Sequence, residues 1–239
     1  MDNFQPEQQQ RKVVVDASGL TSFLTRMYGT MAFAVLVSAL SAYVVMNPLK
    51  TQVLGYFSQH PGMVWLLLLL PIALSIGVSV SATRNAVGGF IMLMVMSVIY
   101  GVEFALIAGV YTAANITVAF VSAASIFVAL ALYGSVTHRN LDRAGSHAFA
   151  ALIALIIASL INMFLKSAMI TYIFSYIAVI IFVVLTAYDA QKMKQLYVNY
   201  AGQVSTNGLA VTGALQLYLD FINLFIQLLN ILQMGSNRD

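Results

Sequence analysis

Three acids stand within or at the ends of long apolar runs: Glu103, Asp189 and Asp220. An ionised carboxylate at the centre of a bilayer costs at least ~2.5–3.5 kcal/mol on insertion scales, so acids in such places mark candidate sites. Asp189 and Asp220 lie on consecutive runs, which antiparallel packing would bring side by side. Two carboxylates in one site cannot both ionise cheaply and titrate as a unit. They also present the hard oxygen ligands that calcium prefers. A second pattern surrounds Asp220. Gln216, Asp220, Asn223, Gln227 and Asn230 follow at spacings of 4, 3, 4 and 3, which is one stripe along a helix. Facing lipid, each unsatisfied group on that stripe would cost several kcal/mol, so it must face other helices or water. It either lines a pathway or forms an interhelical hydrogen-bond seam.

The elements that position these groups follow from composition. Of 239 residues, 61% are hydrophobic and 8% charged, against about 45–50% and 25% in soluble domains. So few charges cannot wet a soluble surface, which excludes water-soluble enzymes and nucleic-acid readers and predicts an integral membrane protein. A helical span needs about 20 largely uncharged residues. Seven such runs are predicted, near 27–46, 63–82, 89–111, 116–135, 148–165, 169–188 and 208–232, all in one domain over 27–239. The runs are continuous and too long for barrel strands, so the fold class is all-α and polytopic. Residues 1–26 are polar and read as a cytoplasmic tail without a cleavage signal. Small residues explain packing between spans, as at Ala150, Ala154, Ala158 and Asn162 on one face of the fifth.

Basic residues set orientation. With the amino terminus inside, cytoplasmic segments hold Arg11, Lys12, Arg26, Arg84, Arg139, Arg143, Lys192 and Lys194, whereas Lys50, Lys166 and Arg238 fall outside. Seven spans then put the carboxyl terminus outside. On this layout Asp220 is near the middle of its span and Asp189 at the cytoplasmic end of the sixth. Asp189 pairs either with Asp220 or, as a helix-end residue, with Lys192 or Lys194. Arg84, ending an earlier span, is the local cation expected for Asp189. Glu103, in the outer half of the third span, either snorkels outward or lines the same route as the stripe. His60, His138 and His147 lack the ligand spacing of a metal site, there is no cysteine, and no catalytic motif is present. Neither an enzymatic activity nor a bound cofactor is expected.

Two runs carry a resemblance: Leu185-Thr186-Ala187-Tyr188-Asp189-Ala190-Gln191-Lys192-Met193-Lys194 and Leu217-Tyr218-Leu219-Asp220-Phe221-Ile222-Asn223-Leu224-Phe225. On them the chain resembles the bacterial branch of the Bax inhibitor (transmembrane Bax-inhibitor-motif) family. Weaker similarity extends over about residues 20–233. The resemblance implies a seven-helix bundle with its last helix at the centre and a pH-sensitive calcium leak across the bacterial cytoplasmic membrane. It further implies Asp189 and Asp220 as the proton-sensing pair, with Arg84 latching the first. Calcium and protons would be the partners of the site. Some bacterial relatives associate with a membrane-bound AAA protease, which makes regulatory binding of a membrane partner the alternative. Aspartyl intramembrane proteases also place Tyr-Asp and Asp on consecutive spans. Their second aspartate follows Gly-x-Gly, however, where this chain has Leu217-Tyr218-Leu219.

Overall fold

A computed structural model describes residues 17–200 and 202–236. Eight helices fill it: α1 (Ala17–Met46), α2 (Lys50–Gln59), α3 (Pro61–Arg84), α4 (Ala86–Ala108), α5 (Ala113–Val136), α6 (Asp142–Leu165), α7 (Ala168–Tyr200) and α8 (Thr206–Ser236). All but α2 are long and apolar enough to cross a membrane, so the seven expected spans are present. Helices answer the bilayer's main demand, because each backbone N–H and C=O is satisfied within its own segment.

Polar residues punctuate the apolar runs. The Asn85 side chain accepts from Val87 N and Gly88 N to open α4, at 3.0 and 3.3 Å. Thr112 Oγ1 accepts from Asn115 N to open α5. These caps satisfy amide groups that have no partner inside the helix. The α6–α7 turn closes on Lys166, in the left-handed region at φ 52°. There Asn162 Nδ2 donates to Thr171 Oγ1 at 2.9 Å. Asn162 therefore serves the turn. The rest of the alanine stripe expected to pack is not a buried face, since Ala150 and Ala154 are exposed. Gly145 and Ala148 are buried instead, because α6 docks on α7 along that side.

Helix α8 is the axis. It packs against α1, α3, α4, α5 and α7, and most of its circumference is buried. Aromatic edges pin it: Phe225 meets Phe104 at 5.5 Å between ring centroids, and Phe221 meets Phe127 at 5.9 Å. The last helix is thus central. Helix α6 is the outlier, packing principally on α7.

Several boundaries move from the expected ones. Of the cytoplasmic tail expected over 1–26, residues 1–16 lie outside the described residues. Residues 17–26 instead begin α1, where Phe23 is buried and stacks on Tyr197 of α7 at 4.7 Å. Arg26 Nη1 donates to Asn207 Oδ1 beside the start of α8. Helix α7 continues for 11 residues past Asp189, so Asp189 is not a helix-end residue. Hydropathy falls at Gln191-Lys192, but helix packing carries the backbone onward. Gly134 of α5 lies so close to the Ala187 backbone that a Cβ could not fit, which holds α5 tight against this part of α7.

Candidate functional site

Asp189 on α7 and Asp220 on α8 line one cavity together, with their carboxyls close enough to interact directly. Neither carboxylate can donate, so a hydrogen bond between them needs a shared proton. Asp220 is 5% exposed, and its Oδ2 is buried without a partner. Both helices run well past the pair toward their connection, α7 by 11 residues and α8 by 14, or about 16 and 21 Å. Asp220 is therefore mid-helix at the depth of Asp189, which lies nearer the connecting end of its own helix.

The pair borders a cavity of about 750 Å³ enclosed by α6, α7 and α8. Gln216, Asp220, Asn223 and Gln227 all line it, so four members of the stripe share one wall. The separation of α6 from α8 leaves this wall open. Gln216 Oε1 is buried without a hydrogen bond, while Asn223 Nδ2 donates to the Leu219 carbonyl at 2.7 Å. The fifth member leaves the cavity. Asn230 Oδ1 accepts from Tyr111 OH at 2.7 Å, tying α8 to the α4–α5 turn. A helical stripe drifts around its neighbours along its length, and at Asn230 the neighbour is that turn.

The remaining expected residues fall elsewhere. Arg84 is exposed at the end of α3, and among the described residues it forms no ion pair with Asp189. Helix α3 packs chiefly on α4 and α8 rather than α7, which keeps the guanidinium away. The cation acting on Asp189 is Lys192. It is one helical turn along α7 and lines the same cavity, with Nζ 5.4 Å from the Tyr188 ring centroid. Glu103 does not line the cavity. It is half-buried on α4 beside Tyr100 and Tyr218, and its Oε1 is buried and unpartnered. Tyr218 is two residues from Asp220, about 200° around the helix, so Glu103 sits on the opposite side of α8. Tyr218 OH is 2.7 Å from Ser38 Oγ, which donates to the Ser97 carbonyl.

Residues around Asp189 hold α7 in register. The Gly145 backbone sits against the Tyr188 ring, where a Cβ would collide. Gln191 bridges the α5–α6 loop, accepting from Leu141 N at 2.9 Å and donating to the Arg139 carbonyl at 2.8 Å. Lys194 Nζ donates to the Ser135 carbonyl at 2.7 Å. These supporting contacts were not foreseen. The only signal for them was the polar run after Asp189.

The side-chain donors the cavity offers a cation are oxygens: the two carboxyls, the amides of Gln216, Asn223 and Gln227, and the hydroxyls of Ser146, Ser159 and Tyr188. Such a set suits a hard cation. Among the described residues no group of three or more His, Asp or Glu forms a metal cluster.

A central helix with an acid pair facing a cavity, packed by five other spans with the sixth across the cavity, defines a seven-helix membrane protein. The chain belongs to the Bax inhibitor family: the family described as inhibitor of apoptosis-promoting Bax1 matches residues 20–238. It is 38% identical over 226 residues to the inner membrane protein YbhL of Escherichia coli (strain K12), covering 92% of this chain and 94% of that one. An uncharacterized membrane protein of Streptococcus pyogenes serotype M1 is 34% identical over 213 residues, covering 89% and 93%. YrjE of Lactococcus lactis is 34% identical over 224 residues, covering 93% and 95%.

Proposed function

We propose that this protein is a proton-gated leak for calcium or a similar hard cation in a bacterial inner membrane, with its amino terminus in the cytoplasm. The observation that carries the reading is the contact between the Asp189 and Asp220 carboxyls at the wall of the α6–α7–α8 cavity. With a shared proton the carboxyls hold α7 against α8. Loss of that proton leaves two negative charges in contact, which repel or recruit a cation. The unpartnered oxygens Asp220 Oδ2 and Gln216 Oε1 are ligands waiting for such an ion. Lys192 competes with it for Asp189, the role the resemblance implied for Arg84. The amides of Gln216, Asn223 and Gln227 would pass the ion along α8.

Calcium-loaded proteoliposomes test this. Asp189→Asn and Asp220→Asn should each abolish the pH response of efflux. An unchanged rate and pH response in both would reject the gate. If the chain instead acts by binding a membrane-bound AAA protease, these variants will retain partner capture, and removal of residues 1–16, which leaves α1 whole, will abolish it.

A further inference from the structure

Helix α2 was not expected from hydropathy and takes no part in the bundle. None of its ten residues is buried, and it packs chiefly on the adjoining ends of α1 and α3. Its sequence, Lys-Thr-Gln-Val-Leu-Gly-Tyr-Phe-Ser-Gln, is nevertheless sorted by face. At 100° per residue, Val53, Leu54 and Phe57 fall within one sector, with Tyr56 beside it and Lys50 of the first turn inside it. Thr51, Gln52, Gly55, Ser58 and Gln59 occupy the opposite side. Leu54 and Tyr56 are 39% and 49% exposed. A ten-residue helix of about 15 Å is too short to span.

Its position says what the apolar face meets. Helix α2 connects the ends of two membrane spans, where the headgroup layer begins. Its apolar sector continues a belt of exposed Met46, Leu49, Met63 and Trp65 at those ends. His60 closes the corner into α3, its ring stacked on Tyr56 at 4.6 Å and its Nδ1 3.0 Å from the Tyr56 carbonyl. A helix with one apolar and one uncharged polar face, no acid and one snorkelling lysine has the build of an interfacial helix.

We infer that α2 is a bilayer-docking element that lies in the headgroup layer with Val53, Leu54 and Phe57 turned to the acyl chains. It anchors the α1–α3 corner to the lipid surface on the side opposite the α7–α8 connection. Independence from the Asp189–Asp220 site means that either assignment can fail alone.

The chain has no cysteine, so single cysteines can be placed without other changes and spin-labelled in liposomes of the full-length protein. Each of residues 50–59 is replaced in turn, for example Val53→Cys, Phe57→Cys, Gln52→Cys and Gln59→Cys. Accessibility is then read to oxygen, which partitions into lipid, and to a water-soluble nickel complex. The expected ratio of oxygen to nickel collision oscillates with a period of 3.6 residues and is severalfold higher at 53, 54 and 57 than at 52 and 59. Nickel-dominated collision at every position would show α2 standing in water and overturn the assignment. Protection of 53 and 57 from both reagents would also overturn it, by showing a protein partner on that face. Ten positions keep the pattern readable if one variant fails to fold.

Discussion

The Asp189 carboxyl on α7 stands beside the Asp220 carboxyl on α8 at the wall of one cavity, so the α7–α8 seam holds an acid pair that can hydrogen-bond only while it shares a proton. The cation that shares the cavity with Asp189, Lys192, is on the same helix and not on α3. That choice of cation separates two otherwise similar schemes.

Lys192 lines the cavity with Asp189, and a nearby positive charge favours a carboxylate over the acid. Lys192→Met should move the midpoint of the leak's pH response upward by about one unit, the ordinary effect of one nearby opposite charge. Arg84→Gln should leave the midpoint in place. Efflux profiles of the two variants, recorded between pH 5 and pH 9, check both.

The amide stripe divides at Gln227. Gln216→Leu and Gln227→Leu remove polar groups from the cavity wall and should slow cation efflux severalfold. Asn230→Leu should leave efflux intact while costing about 0.5–1.5 kcal/mol of stability, because it orphans only the Tyr111 hydroxyl. Flux and thermal unfolding of each variant distinguish the two effects.

Glu103 is on the far side of α8 from the cavity. Glu103→Gln should therefore preserve both the rate and the pH response of the leak. A changed pH response would bring Glu103 back into the pathway.

A side chain at Gly145 meets the Tyr188 ring, and overpacking of this kind costs about 1–3 kcal/mol. Gly145→Ala should lower the unfolding temperature, whereas Gly29→Ala, with nothing within 4 Å of its Cβ and an exposed place inside α1, should leave it unchanged or raise it, by up to about 1 kcal/mol. Thermal unfolding in one lipid or detergent compares them.

The span count and the acid pair were legible in the sequence for a common reason. In a bilayer both backbone and charge are so costly to mismatch that hydropathy and stray carboxylates carry most of the information. Residues whose partners lie on another helix were less legible. Arg84 and Lys192 are both cations near a span end, and only packing shows that α3 is turned away from α7. Glu103 and Asp220 both interrupt apolar runs, but the angle around α8 separates them. Helix α2 escaped because ten mixed residues between two spans read as a loop by hydropathy alone, although their sorting by face was already present. The extension of α7 beyond Asp189 was hidden by Lys192 and Lys194, which look like a membrane boundary but lie within a continuous helix.

The most direct test is calcium efflux from proteoliposomes as a function of pH, with the wild-type chain beside Asp220→Asn. Asparagine keeps the size of the side chain and can donate to Asp189, but it can neither lose a proton at these pH values nor add a second negative charge. The account requires wild-type efflux to rise as pH increases and the pair sheds its proton, and the Asp220→Asn profile to be flat. A wild-type profile independent of pH, or a variant that keeps the wild-type curve, would contradict it.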